Sequence, residues 1–126
     1  MVLGRVVAFV GVADLDRAAE FYGDVLGLRL QHRDDFACVF DAGGATLRVT
    51  AVPSVVPAGY TVLGWDVPDI RAEVERLVAH GVTFRRYEYD GMTQDTLGIW
   101  TSPSGAAVAW FGDPDGNTLS LSQDAG

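Results

Sequence analysis

The feature that most constrains this chain is that it is written twice. Val7-Ala8-Phe9-Val10-Gly11-Val12-Ala13-Asp14-Leu15 has a counterpart in Val62-Leu63-Gly64-Trp65-Asp66-Val67-Pro68-Asp69-Ile70, each residue 55 positions later. Asp41-Ala42-Gly43-Gly44-Ala45-Thr46-Leu47-Arg48-Val49 aligns with Asp113-Pro114-Asp115-Gly116-Asn117-Thr118-Leu119-Ser120-Leu121 at an offset of 72. The larger second offset places an insertion in the second half, assigned to Tyr89–Pro103. Two imperfect copies are too few for a solenoid and fit a pair of related modules.

Each copy carries the same order of elements. Residues 6–12 form a short apolar run, a strand signal. Asp14 stands where an N-cap belongs, and Asp16 in the first turn favours the helix dipole. Leu15, Ala18, Tyr22, Val25 and Leu26 recur at helical spacing until Gly27 supplies a left-handed stop. Strands near 28–33, 36–40 and 45–51 follow, separated by the turn formers Asp34-Asp35 and Gly43-Gly44. In the second copy Pro68-Asp69 opens a helix with Ile70, Val74, Leu77 and Val78 on one face, closed by Gly81. Strands near 83–88, 106–111 and 118–122 complete it. The predicted fold is α+β, two βαβββ modules in tandem (about 1–52 and 61–123, linker 53–60) within a single domain of residues 1–126.

Strand alternation assigns faces. Val6, Ala8, Val10 and Val12 pack under the first helix, as do Leu47 and Val49; Leu63, Trp65, Val67, Leu119 and Leu121 do the same in the second module. The opposite faces carry Val7, Phe9, Gly11, Thr46, Arg48 and Thr50, and then Val62, Gly64, Asp66, Thr118, Ser120 and Ser122. Two curved sheets sharing that helix-free side would line a cavity.

At this point the residues resemble a known group. Asp14-Leu15-Asp16-Arg17-Ala18-Ala19-Glu20-Phe21-Tyr22, followed by Val25-Leu26-Gly27-Leu28, resembles the opening of vicinal-oxygen-chelate proteins, the glyoxalase, bleomycin-resistance and ring-cleaving dioxygenase relatives. Phe111-Gly112-Asp113-Pro114-Asp115-Gly116-Asn117-Thr118-Leu119 resembles their closing hairpin. The resemblance implies two modules forming a curved mixed sheet around a ligand cavity, usually in a homodimer. It also implies a divalent metal held through four positions, one on the first and last strand of each module. Here those positions read Val7, Arg48, Val62 and Ser120, and the internal repeat pairs Val7 with Val62 and Arg48 with Ser120.

Metal ligation needs imidazole, carboxylate or thiolate donors. Valine has none, a serine hydroxyl is a poor ligand, and arginine sets a permanent cation beside the ion. Two unit charges ~4 Å apart cost about 4 kcal/mol at an effective dielectric of 20, and a divalent ion doubles that. The expectation is a member without the family metal site, and no cofactor is predicted.

Composition excludes other classes. The net charge of −8, from 17 acidic against 9 basic residues, argues against nucleic acid, which demands a positive footprint. No run approaches the ~18 apolar residues a membrane span needs. The run Val6–Ala13 is short, ends in Asp14-Leu15-Asp16 and lacks a cleavage pattern, so it reads as a strand rather than a signal peptide. The one cysteine, Cys38, excludes an intrachain disulfide. A cytoplasmic location is expected. No phosphate loop, nucleotide fingerprint or nucleophile elbow is present.

His80, in the last helical turn, reads as a capping residue, His32 as a surface residue and Cys38 as a small buried hydrophobe. Trp110 should oppose Phe111, so that if Phe111 is core, Trp110 lines the cavity. Trp100 lies in the insertion, with Tyr87 and Tyr89 just before it. Long insertions tend to carry function, and an aromatic wall suits a planar or cationic ligand. The candidate ligand-binding set is Val7, Phe9, Arg48, Val62, Asp66, Tyr87, Trp100, Trp110 and Ser120; no catalytic residue is assigned. The leading reading is metal-independent binding of a small organic molecule, with an oxygen-bearing group on Arg48 unless Asp66 neutralises it. An enzyme of the same fold, with relocated metal ligands or none, and a metabolite-sensing accessory domain are the alternatives.

Overall fold

The structure, a computed structural model, describes residues 2–87, 89 and 91–126. The chain divides into two compact units, Met1–Pro57 and Ala58–Gly126, each built on one four-stranded mixed sheet.

The first unit contains β1 (Val7–Val12), α1 (Leu15–Ala19), β2 (Arg29–Arg33), β3 (Ala37–Asp41) and β4 (Thr46–Ala51). Its sheet order is β1-β4-β3-β2, with β1 parallel to β4 and the other pairs antiparallel. The chain leaves β1 through α1 to β2 at the far edge of the sheet, and two antiparallel connections bring it back through β3 to β4 beside β1. Asp14 caps α1 through its side chain, which accepts from the N–H groups of Asp16 and Arg17. The predicted helix does not stay α-helical to its end. Residues Glu20–Val25 form a π-helical segment, in which the Leu26 N–H donates to the Phe21 carbonyl. Gly27, at φ +82°, ends it. Ala18 and Tyr22 are buried against Cys38, Phe40, Leu47, Val49, Val10 and Val12, the core of the unit. Val6, expected in that set, is exposed because it precedes the strand pairing.

The second unit contains β5 (Leu63–Asp66), α2 (Ile70–Ala79), β6 (Trp100–Thr101), β7 (Ala107–Gly112) and β8 (Thr118–Gln123), in the order β5-β8-β7-β6. Asp69 caps α2 by accepting from the Ala72 N–H. Ile70, Val74 and Leu77 are buried with Ala109, Phe111, Leu119 and Leu121. Val78 is half exposed, because it falls at the border of that apolar stripe. His80 Nδ1 lies 2.8 Å from the Arg76 carbonyl at the helix end.

The repeat survives in the hydrogen-bond register. Ala8 pairs with Leu47 and Phe9 with Arg48; their counterparts Leu63 and Gly64 pair with Leu119 and Ser120. Arg48 and Ser120 therefore occupy equivalent places in their sheets.

The edge of the second sheet departs from expectation. No continuous strand runs over 83–88, whose last residue lies outside the described ones. Instead Phe84 bridges Phe111, the Arg85 N–H donates to the Trp110 carbonyl at 2.8 Å, and pairing with β7 resumes only at Trp100–Thr101. The extra length is thus inserted within the edge strand, between Arg85 and Trp100, rather than over Tyr89–Pro103, a range whose position 90 is also outside the described residues. The side chain of Gln94 explains the break. It donates to the carbonyls of Arg85 (2.9 Å) and Gly98 (2.8 Å) and accepts from the Tyr87 N–H (2.6 Å), replacing ladder bonds on both sides of the excursion.

Candidate functional site

On each sheet, alternation leaves one face to the helix and one free of it. In the first unit the helix-free row through the middle is Phe9, Arg48 and Val39, adjacent in register. Val7 and Phe9 are exposed, and Arg48 is half-buried. Arg48 has no hydrogen-bond or ion-pair partner among the described residues. His32 is paired with Val39 on the same row and lies 3.5 Å from Asp34, at the surface. Cys38 points the other way, is fully buried and has its thiol pKa raised by desolvation.

In the second unit Phe111 is fully buried, so Trp110 stands on the opposite face, paired in register with Ser120, itself paired with Gly64. Trp110 is the centre of an aromatic cluster. Tyr87 meets it edge to face with centroids 5.4 Å apart, Trp100 lies at 6.2 Å, and Tyr89 stacks on Tyr87 at 6.0 Å and 11°. These spacings are those of favourable aromatic pairs. Asp66 stands one row away and accepts a 2.5 Å hydrogen bond from the Ser122 hydroxyl. Val62 is exposed immediately before β5, its N–H bonded to the Thr118 carbonyl.

The candidate residues thus divide between the units: Val7, Phe9 and Arg48 on the first sheet; Val62, Asp66, Tyr87, Trp100, Trp110 and Ser120 on the second. Of the four aromatics in the candidate set, Tyr87, Trp100 and Trp110 come together on the second sheet, where Tyr89 joins them, and Phe9 stands on the first.

Sequence reasoning missed Arg85. Its guanidinium donates to Thr118 Oγ1 (2.5 Å) and to the Gly116 carbonyl (3.1 Å), and it lies against Gly112, where an added Cβ would come within 2.6 Å of Nη2. The Phe-Gly-Asp order at the start of the closing hairpin was a signal, since a glycine in a strand often marks the close approach of another group.

The hairpin itself is self-bonded. Asp113 accepts from the N–H groups of Asp115 (3.0 Å) and Asn117 (2.9 Å) and from the Asn117 side-chain amide (2.8 Å).

The model of the Glyoxalase/Bleomycin resistance protein/Dioxygenase superfamily matches residues 3–121. The chain belongs to this superfamily. Solved structures agree on the fold. A superfamily member from Sphaerobacter thermophilus is similar at 22% identity and a TM-score of 0.76, covering 98% of each chain. The genomically encoded fosfomycin resistance protein FosX from Listeria monocytogenes is similar at 15% identity and a TM-score of 0.74, covering 98% of this chain and 94% of its own. TioX from Micromonospora is similar at 21% identity and a TM-score of 0.72, with coverages of 95% and 98%. No curated protein matches the sequence.

The residues present do not fit the divalent metal that this superfamily implies. Val7 and Val62 offer no donor atom, Arg48 is a fixed cation and Ser120 a neutral hydroxyl. Among the described residues no three His, Cys, Asp or Glu side chains gather as an alternative donor set. No helix among them is long and apolar enough to cross a membrane.

Proposed function

We propose that this superfamily member binds a small aromatic or amphipathic organic molecule without a metal, and that the helix-free face of the second sheet receives it. The observation that carries the reading is the cluster of Tyr87, Tyr89, Trp100 and Trp110. Tyr89 is exposed, and the other three remain only half-buried. Aromatic side chains left partly open to water and held in mutual contact offer a rigid, low-entropy surface to a planar ligand. The similarity to a fosfomycin resistance protein, which is one of fold, supports a small-molecule role. In this reading the protein acts in the cytoplasm as a homodimer and needs neither nucleic acid nor membrane.

Mass spectrometry of molecules released from the purified protein, with elemental analysis of the same sample, tests the proposal. An organic molecule that is retained by the wild type, lost in Trp110→Ala and recovered unchanged supports sequestration. Recovery of a converted product points to an enzyme instead. A near-stoichiometric divalent metal required for retention would overturn the metal-independent reading.

A further inference from the structure

We propose that Arg85 is the anion-holding group of the second sheet, and that the ligand there is an aromatic carboxylate with its ring against Trp110 and its carboxylate on Arg85. The proposal rests on the aromatic face being the ligand site, and it moves the oxyanion contact from Arg48 to a residue on the same sheet as the aromatics.

The first ground is charge. All nine basic side chains of this acidic protein are arginines. Arg5, Arg33, Arg71 and Arg76 each meet a carboxylate, at Asp41, Asp16, Glu75 and Glu73 respectively. Among the described residues Arg85 meets none; nor do Arg29, Arg48 and Arg86, but of these four only Arg48 and Arg85 are half-buried. The two acceptors of Arg85, Thr118 Oγ1 and the Gly116 carbonyl, are neutral, so among the described residues its guanidinium is held in place without being neutralised. A clip needed only to join two neutral acceptors has no use for a full positive charge, which is costly to remove from water unpaired.

The second ground is position. Phe84 and Phe111 pack together, centroids 5.3 Å apart, and both are buried on the helix side. Arg85 and Trp110, their chain neighbours, are joined by the Arg85 N–H to Trp110 carbonyl bond and share the other side.

The third is the seat made for it. An added Cβ at Gly112 would lie 2.6 Å from Nη2 and 3.4 Å from Cζ of Arg85, so the guanidinium rests directly on the backbone of β7. The fork is fixed before any ligand arrives, and a preoriented planar fork suits a carboxylate. Arg48, by contrast, has Phe9 and Val39 as its register neighbours, and none of the four clustered aromatics stands on its sheet.

Calorimetric titration with 2-naphthoate and its neutral analogue 2-naphthamide tests this. The wild type should bind the acid at least about tenfold more tightly than the amide, the difference expected of a charge-assisted contact. Arg85→Gln should bring the acid to the level of the amide and leave the amide unchanged. Gly112→Ala should do the same by displacing the guanidinium while keeping its charge. In the wild type, raising the salt should weaken the acid and not the amide; indifference of the acid to salt would overturn the charged contact even if both variants fold poorly. Equal binding of acid and amide to the wild type, with both weakened by Trp110→Ala, would overturn the role of Arg85 and leave the aromatic site standing. Failure of both ligands to bind, or indifference of both to Trp110→Ala, would overturn the aromatic site and this proposal with it.

Discussion

Tyr87 stands edge-on to Trp110, the ring planes at 84°, and Gln94 is the residue that holds it there. The Gln94 side chain takes the Tyr87 N–H and gives its own two protons to the carbonyls of Arg85 and Gly98. One side chain therefore fixes the excursion at both its exit and its return.

Gln94→Ala removes three hydrogen bonds at once and leaves half-buried backbone groups to water. The expected cost is about 1–3 kcal/mol in chemical denaturation. The aromatic near-ultraviolet circular dichroism should fall with it, because Tyr87 loses its fixed approach to Trp110. A variant with lowered stability but an unchanged aromatic spectrum would show that the cluster is held by ring packing alone.

Asp113→Ala should be more damaging. The carboxylate is buried and accepts from the Asp115 and Asn117 N–H groups and the Asn117 amide within the loop that also presents the Gly116 carbonyl to Arg85. Its loss strands donors with no room for equivalent partners, and a destabilisation of about 2–4 kcal/mol is expected. Equilibrium unfolding in urea measures it; a loss well below 1 kcal/mol would show that water takes over the loop.

Divalent ions should gain no hold from Val7, Arg48, Val62 or Ser120. Elemental analysis after expression in metal-supplemented medium is expected to find less than stoichiometric zinc, iron, manganese and nickel. The melting temperature should be indifferent to a chelator, since an ion bound only to the native state would raise it.

Much of this was legible because strand registers obey the same arithmetic as the sequence repeat. Offsets of 55 and 72, read from residue identities, reappear as Phe9 paired with Arg48 and Gly64 paired with Ser120. Parity with Phe111 places Trp110 on the opposite face of its strand, and Phe111 is fully buried. Parity fails where a strand is interrupted. The run Thr83 to Tyr87 looks like one strand, yet the ladder bond that Arg85 would accept is taken by Gln94, nine residues away. No local pattern announces that exchange. The π-helical segment was equally hidden, since apolar spacing that suits an α-helix tolerates one widened turn. Arg85 was missed for a related reason: its significance lies in Gly112 and Thr118, which reach it only through the fold.

Cys38 provides a prediction in pH. Burial holds its thiol pKa above the ordinary value, with the sulfur 3.9 Å from the Leu15 carbonyl beneath α1. Above the ordinary thiol range, about 8.5, the unfolded chain has released a proton that the folded chain keeps. Stability then falls with each further unit of pH, because the folded state binds more protons than the unfolded one. The contribution is complete below the ordinary thiol pKa and is lost as pH rises toward the raised folded value. Urea midpoints measured from pH 7 to 10 should therefore decline in the wild type. Cys38→Ala should decline less over the same range, although its midpoint at pH 7 is lower because a filled core position is partly emptied. Thiol reagents should label the native protein slowly and the unfolded protein at once. Parallel pH profiles for the two proteins would show that other groups, and not Cys38, set the alkaline limit.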